Sequence, residues 1–241
     1  MTAMIAALLL AQAAPVRGIL PDPCAPEVLA ALRDSDARLR DFGGLCRYRD
    51  DNRRLHASGT RVRVVMFGDS ITEGWPAGDP MLFTRGIINR GISGQTTSQM
   101  LVRFRQDVID LKPAAVHIMA GTNDIAGNTG PTTLDNVVAN IRSMIELART
   151  HRIRVILGAA LPASQFTWAP EQRPAAQIAE LDRRLAALAR AERIRFVDYH
   201  AALANRAGGL DPADAVDGVH PTKAGYARMR PLTVKALAEV R

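Results

Sequence analysis

Three residues of this sequence have the types and the positions that nucleophilic catalysis by a serine requires. Ser70 follows directly on a short apolar run and a Gly-Asp pair. A serine hydroxyl is a poor nucleophile until a base removes its proton during the attack. His220 is the candidate base, because a neutral imidazole can accept that proton near pH 7. Asp217, three residues earlier, can bind the other ring nitrogen and stabilise the imidazolium.

Each residue also has an ordinary structural interpretation. Ser70 could be the N-cap of a helix, and His220 could be a loop histidine packed against a sheet. The occurrence of all three residues in one chain favours catalysis over these separate explanations.

The elements that must position these residues follow from the apolar pattern. Short β-branched runs predict five strands, at Val62–Phe67, Gly86–Asn89, Ala114–Met119, Arg154–Leu157 and Ile194–Val197. Helical spacing predicts helices at Glu27–Leu39, Tyr48–Leu55, Thr132–Arg149, Ala175–Arg190 and Lys223–Val240. This alternation predicts an α/β fold with a doubly wound, mostly parallel five-stranded sheet. Functional residues should therefore lie beyond the carboxyl ends of the strands.

Four sequence blocks fall in loops where the predicted fold would place functional residues. They are Gly68-Asp69-Ser70, Gly94, Gly121-Thr122-Asn123-Asp124 and Asp217-Gly218-Val219-His220. In this order they resemble the SGNH (GDSL-type) hydrolases, and the resemblance extends from Arg61 to the C-terminus. It implies a flavodoxin-like sheet and ester hydrolysis. It also implies an oxyanion hole formed by the backbone N–H groups of Ser70 and Gly94 and the side chain of Asn123.

The residue types of these blocks fit those roles. Gly94 has no side chain, so its backbone can approach a substrate closely. The Asn123 amide stays a donor at any relevant pH, although an asparagine here could also cap a turn. Asp69 and Asp124 are expected to hold loops by accepting backbone N–H bonds. Gln95 stands where many relatives have an aspartate, which affects bonding around the site and not the Ser–His–Asp set.

The sequence says less about the substrate than about the type of reaction. Trp75 and Trp168 lie in loops where an aromatic face could bind a sugar or an acyl chain, or could plug local packing instead. The loops are polar and contain no long apolar lid, which favours short acyl groups, such as acetyl on a carbohydrate. The alternatives are a lysophospholipase or acyl-thioesterase of the same fold, and a non-catalytic module that binds polysaccharide. The expected catalysis needs no cofactor and no metal.

The N-terminus predicts export. An apolar run at Met4–Leu10 precedes small residues and Pro15, as in a secretory signal peptide, although no basic residue precedes the run. The alternative is a cytosolic chain with an apolar N-terminal helix. We therefore expect a signal peptide at 1–14, a helical extension at 15–60 and the hydrolase domain at 61–241, in a periplasmic or secreted protein.

Both cysteines, Cys24 and Cys46, fall in the expected extension. In an oxidising compartment a disulfide between them could contribute about 3 kcal/mol to stability by closing the loop. Two unpaired buried thiols are the alternative. Neither cysteine has the spacing of a zinc site or a redox motif.

Composition narrows the range of partners. The net charge is +7, with 47% hydrophobic and 23% charged residues, and the basic residues are scattered among acidic ones. A nucleic-acid surface usually has clustered basic residues. No later segment reaches eighteen uninterrupted apolar residues, so stable membrane insertion is not expected. The expected partner is a small-molecule or carbohydrate ester, and the oligomeric state is left open.

Overall fold

The computed structural model describes residues 41–240 of the 241-residue chain. Contacts divide the chain into two units, Met1–Phe42 and Gly43–Arg241, and every element below belongs to the second. The predicted signal peptide, the predicted helix Glu27–Leu39 and Cys24 lie outside the described residues and stay predictions. Residues 43–60, which the sequence analysis assigns to the extension, contribute a helix to the second unit.

Five strands form one sheet in the order β2-β1-β3-β4-β5, and all neighbouring pairs are parallel. The strands are β1 (Val64–Gly68), β2 (Ile87–Gly91), β3 (Ala115–Met119), β4 (Arg154–Gly158) and β5 (Arg195–Val197). Every residue of β1 and β3 is buried, as expected where helices cover both faces of a parallel sheet. The predicted fold class is confirmed, and each strand boundary lies within two residues of its predicted place.

Eight α-helices accompany the sheet in the described residues. They are α1 (Arg49–Ser58), α2 (Ser70–Gly78), α3 (Thr97–Phe104), α4 (Thr122–Ile125), α5 (Leu134–Thr150), α6 (Ala175–Ala191), α7 (Tyr199–Leu203) and α8 (Lys223–Leu237). Helix α2 contacts α8, whereas α5 contacts both α3 and α6. Because crossovers between parallel strands are normally right-handed, connections that run in opposite directions from the central strands put helices on both faces of the sheet.

Local sequence explains where the helices begin. Thr133 caps α5 and Thr222 caps α8, each by accepting a backbone N–H bond at its hydroxyl. Helix α3, which the sequence analysis does not predict, begins with a capping box formed by Thr96 and Gln99. It is only eight residues long and continues into a π-helical turn, Arg105–Ile109. A pattern this short gives little periodic signal.

The strand order reverses beside β1, because β2 lies on one side of it and β3 on the other. Such a switch point opens a crevice at the carboxyl ends of the strands. Gly68, Gly91 and Met119 lie side by side there, so the loops that follow them converge. None of the helices between residues 41 and 240 has the length and apolar character needed to cross a membrane.

Candidate active site

The structure brings Ser70, His220 and Asp217 together at this crevice. Ser70 is the first residue of α2 and is half-buried. The Nε2 atom of His220 lies 2.9 Å from the Ser70 Oγ. The Nδ1 atom of the same ring lies 2.7 Å from the Asp217 Oδ2. A continuous line of hydrogen bonds therefore joins the carboxylate to the hydroxyl, across 150 residues of sequence.

The loop that carries Asp217 fixes the tautomer of His220. Asp217 Oδ1 accepts the backbone N–H groups of Val219 at 3.0 Å and His220 at 2.9 Å. Burial acts to raise the pKa of Asp217, but hydrogen bonds from the His220 backbone and ring and from the Val219 N–H hold that pKa below its ordinary value. An ionised carboxylate only accepts hydrogen bonds, so Nδ1 carries the ring proton. The Nε2 lone pair is left to accept the Ser70 hydroxyl.

The turn before Ser70 is tight because Gly68 allows it. A Cβ atom on Gly68 would lie 2.7 Å from the Met119 carbonyl oxygen. Asp69 then caps α2, and its Oδ1 accepts the Ile71 N–H at 3.0 Å. The Ser70 N–H has no acceptor within the helix and lies at the positive end of the helix dipole. Burial raises the pKa of Asp69 to about 6, because water no longer solvates its charged form.

Gly94 lies in the loop after β2, and Asn123 lies in α4, the short helix that follows β3. Gly94 has a φ of +76°, in the left-handed region that favours glycine. The Asn123 Nδ2 donates to the Gln95 carbonyl oxygen at 3.0 Å and lies 3.4 Å from the Asp69 Oδ2. These two contacts hold the Asn123 amide between the turn after β2 and Asp69, the residue before Ser70.

Asn128, which the sequence analysis does not single out, connects these two positions. Its Nδ2 donates to the Gly94 carbonyl oxygen at 3.0 Å and to the Asn123 Oδ1 at 2.9 Å. These bonds fix the peptide after Gly94 and the orientation of the Asn123 side-chain amide. Nothing in the sequence distinguishes Asn128 from an ordinary loop asparagine, because its role depends on a contact across two loops.

A buried arginine, Arg103, forms hydrogen bonds to the segments that follow β1 and β2. Arg103 is fully buried on α3 and donates to the Gly68 carbonyl at 2.9 Å and to the Gln95 Oε1 at 2.5 Å. Its Nη1 lies 3.1 Å from the Asp107 carboxylate. Burial lowers the pKa of Arg103, and the carboxylate of Asp107 opposes that effect. Arg103 thereby joins the end of β1 to the turn that carries Gly94.

Asp124 holds the start of α3. Its carboxylate accepts the Thr97 N–H at 2.9 Å and the Thr97 hydroxyl at 2.6 Å. The predicted loop-holding role of Asp69 and Asp124 is confirmed by these bonds and by the cap that Asp69 forms on α2.

The two predicted substrate-binding tryptophans, Trp168 and Trp75, differ in their exposure. Trp168 is 41% exposed, stacks on the buried Phe166 and lies 5.9 Å from the His220 ring, measured between ring centroids. Trp75 is completely buried and stacks on Tyr226, so the prediction that Trp75 rims the site is wrong. The reason is that Trp75 lies inside α2, five residues after Ser70, where the helical rotation of 100° per residue turns it away from the crevice. The alternative interpretation of Trp75 as a packing residue is the correct one.

The described residues give no indication of a bound metal. Between residues 41 and 240, no group of three or more His, Cys, Asp or Glu side chains is arranged to hold a metal ion. The titratable groups of the crevice are instead joined by direct hydrogen bonds.

A doubly wound α/β sheet with a hydrogen-bonded serine, histidine and aspartate at its carboxyl edge has the arrangement of a serine hydrolase. The family model of the GDSL-like lipases and acylhydrolases matches residues 66–228. The chain therefore belongs to the GDSL-like Lipase/Acylhydrolase family, as the sequence blocks predict.

Individual relatives agree with this assignment. The structure is similar to that of a GDSL-like lipase from Bacteroides thetaiotaomicron VPI-5482, with a TM-score of 0.78 and 44% identity over 83% of this chain and 100% of that one. An uncharacterized lipoprotein, YqeF, of Bacillus subtilis (strain 168) is 39% identical over 41% of this chain and 48% of its own length. An acetylxylan esterase of Geobacillus stearothermophilus is 30% identical over 58% of this chain and 66% of its own. The matches thus span about half to two thirds of these curated relatives.

Proposed function

We propose that this protein hydrolyses carboxylic esters through an acyl-enzyme on Ser70. The observation that carries the proposal is the hydrogen-bonded line from Asp217 through His220 to the Ser70 hydroxyl, at 2.7 and 2.9 Å. A serine held in this way can lose its proton to the imidazole as it attacks, which an isolated serine cannot do near neutral pH.

In the acylation step, the Ser70 Oγ forms a bond to the ester carbonyl carbon while His220 Nε2 takes the hydroxyl proton. The carbonyl oxygen becomes an oxyanion, and the Asp217 carboxylate stabilises the imidazolium. His220 then gives its proton to the alcohol oxygen as the ester C–O bond breaks, and the alcohol leaves. The acyl group stays on Ser70.

We assign three donors to the oxyanion. They are the backbone N–H groups of Ser70 and Gly94 and the side-chain amide of Asn123, all in segments that follow β1, β2 and β3 at their carboxyl ends. Groups fixed in advance are effective because they need not reorganise as charge develops. The bonds from Asn128 to Gly94 and Asn123 supply that rigidity.

In the deacylation step, His220 removes a proton from water, and the resulting hydroxide attacks the acyl carbonyl. The second tetrahedral intermediate collapses with cleavage of the bond to Ser70 Oγ. His220 returns the proton to that oxygen, so the carboxylic acid leaves and the enzyme is regenerated without a cofactor.

The first test compares p-nitrophenyl esters from acetate to palmitate. Ser70→Ala should lower turnover by about 10⁴ or more, whereas Ser58→Ala, a matched change at an exposed serine, should not change it. Equal activity of wild type and Ser70→Ala would refute the nucleophile. A preference for long chains would favour a lysophospholipase or thioesterase over the short-chain esterase proposed next.

We propose further that the acyl group is short, such as acetyl on a carbohydrate. Trp168 presents an aromatic face beside His220, backed by Phe166, and aromatic faces of this kind pack against sugar rings. The relative named acetylxylan esterase supports the same class of substrate.

Trp168→Ala tests this second proposal. We expect kcat/KM on acetylated xylo-oligosaccharides to fall about tenfold, as a lost aromatic contact of about 1.4 kcal/mol would require. Activity on ethyl acetate, which has no ring to stack, should stay the same, and Trp168→Phe should restore most of the sugar activity. Equal losses on both substrates would show that Trp168 supports His220 and does not bind sugar.

An extracytoplasmic location is proposed on the apolar run at Met4–Leu10 with its small-residue segment and on the relative that is named a lipoprotein. Fractionation of expressing cells, with N-terminal sequencing of the mature protein, tests it. Protein that keeps Met4–Leu10 and stays in the cytosol would contradict the proposal.

A further inference from the structure

Basic residues line the edge of the sheet opposite the candidate active site. Arg61, Arg85, Lys112, Arg152 and Arg193 each precede one of the five strands by two or three residues, and all five are exposed. Neighbouring parallel strands lie about 4.8 Å apart. The strand order therefore places these residues in a row about 20 Å long at the amino ends of the strands. We call this row the basic edge.

The backbone of the basic edge is unusual. Arg85, Lys112, Arg152 and Arg193 have φ values between 49° and 59°, and within residues 41–240 they are the only residues other than glycine with positive φ. Positive φ favours glycine, yet the chain has a basic residue at each of these four positions. Arg152 and Arg193 follow the C-termini of α5 and α6, where a cation is favourable.

These charges are not neutralised inside the protein. In the described part of the chain, none of the five residues of the basic edge forms an ion pair, whereas arginines on the helices commonly do, as Arg183 and Arg184 do with Glu180. Two acidic residues near this edge pair with arginines that are not among these five. Glu192 pairs with Arg149, and Glu239 pairs with Arg195.

Apolar side chains accompany the basic edge at one end. Met81 is 67% exposed and Val234 is 46% exposed. Both line a cavity of about 190 Å³ that Arg85 also lines. Exposed apolar groups beside unpaired cations are what binding at the surface of an anionic bilayer uses. A soluble polyanion would need the cations but not the apolar residues.

We propose that the basic edge is a docking surface for an anionic lipid bilayer. Because the strands run from this edge to the crevice, docking leaves Ser70 on the side away from the lipid, open to substrates in solution. The surface would hold the protein at a membrane without a membrane-spanning helix. The proposal is independent of the proposed esterase activity.

The test measures co-sedimentation of the full chain with vesicles of phosphatidylcholine alone or with 30% phosphatidylglycerol, at low and high salt. The edge variant is Arg85→Gln/Lys112→Gln/Arg152→Gln. The control variant, Arg173→Gln/Arg206→Gln/Lys223→Gln, removes the same charge from exposed positions away from the basic edge, two in loops and one at the start of α8. Residues 4–10 are the same in all three proteins, so binding that they cause does not differ between them. Thermal unfolding shows that each variant is folded.

We expect wild type to prefer the anionic vesicles and to lose that preference in high salt. The edge variant should bind about 100-fold more weakly, at about fivefold for each basic residue, while the control variant should bind within a few fold of wild type. Met81→Ser/Val234→Ser should also weaken binding. Equal losses in the edge and control variants would overturn the proposal, because net charge alone would then explain binding. Unchanged binding of Met81→Ser/Val234→Ser, with full competition by dextran sulfate, would overturn it in favour of a soluble polyanion.

Discussion

His117 should make the protein sensitive to acid, and replacing it with glutamine should remove that sensitivity. His117 lies in β3, fully buried, with its Nε2 2.9 Å from the Tyr199 hydroxyl. Thr233 donates its hydroxyl proton to the Met229 carbonyl at 3.0 Å, so the Tyr199 hydroxyl must donate to Thr233, at 2.8 Å. His117 Nε2 is then the donor to Tyr199. A proton added at Nδ1, which has no partner in the described residues, would have no acceptor.

The size of the stability loss follows from the pKa of His117. Burial lowers the pKa of His117 from 6.5 to about 4. Between these values the unfolded chain binds a proton that the folded protein does not, so stability is lost as the pH falls through this window. The gap between 6.5 and about 4 corresponds to about 3 kcal/mol in total, of which about 2 kcal/mol is lost between pH 7 and pH 5.

Wild type alone would not reveal this effect, because Asp69 opposes it. The raised pKa of Asp69, about 6, means that the folded protein binds a proton more readily than the unfolded chain between about 3.8 and 6. Asp69 therefore adds stability as the pH falls through that range. The comparison of wild type with His117→Gln removes this contribution, since Asp69 is present in both proteins. Glutamine can still donate to Tyr199 and does not titrate.

Urea unfolding at pH 7, 6, 5 and 4.5 is the measurement. At pH 7, any loss of packing in His117→Gln lowers its free energy of unfolding relative to wild type. On going to pH 5, wild type should lose about 2 kcal/mol more of its free energy of unfolding than the variant does. His151→Gln, a change at an exposed histidine, should follow wild type. Parallel curves for wild type and His117→Gln would refute the argument that His117 is neutral in the folded protein.

Three further predictions concern the groups around the crevice. Asn123→Ala should lower kcat by about 10²–10³ with little change in KM, measured on a p-nitrophenyl ester, because its donor acts on the developing oxyanion; an unchanged kcat would remove it from that role. Asn128→Ala should lower kcat about tenfold at constant KM, because Gly94 and Asn123 lose the bonds that fix them; a change confined to KM would contradict this. Arg103→Met should lower the free energy of unfolding by about 3–5 kcal/mol in urea titrations, because it leaves the buried Asp107 carboxylate without its cation; a loss below 1 kcal/mol would show that Asp107 is protonated instead.

The fold was accessible from the sequence because buried parallel strands leave a strong signal. Runs such as Val62–Phe67 and Ala114–Met119 are apolar at most positions on both faces, and the long helices around them show clear helical spacing. Helix α3 escaped prediction because eight residues with four buried positions resemble any mixed segment. The same limit applies to α4 and α7, of four and five residues.

The position of Trp75 shows a different limit. A tryptophan near a nucleophile and beside Pro76 is typical of a loop, because proline usually breaks a helix. Here α2 includes Pro76, and the indole packs among Tyr226, Tyr199 and His117. Whether a loop tryptophan faces solvent depends on the packing of elements far away in sequence, which no local pattern contains.

Some residues of the candidate site could be predicted from the sequence and others could not. The difference lies in what determines where each residue is placed. Ser70 and Asn123 follow strand ends, so the topology alone brings them together. Asn128 reaches the site from the loop after α4, and Arg103 reaches it from the last turn of α3. No fixed spacing in the sequence identifies either position. The interpretation of Gln95 depends on Arg103, because Arg103 already has the Asp107 carboxylate as its counterion. An aspartate at 95 would place a second buried carboxylate beside one guanidinium, whereas the neutral amide accepts the Arg103 N–H and donates to the Gly43 carbonyl without adding charge.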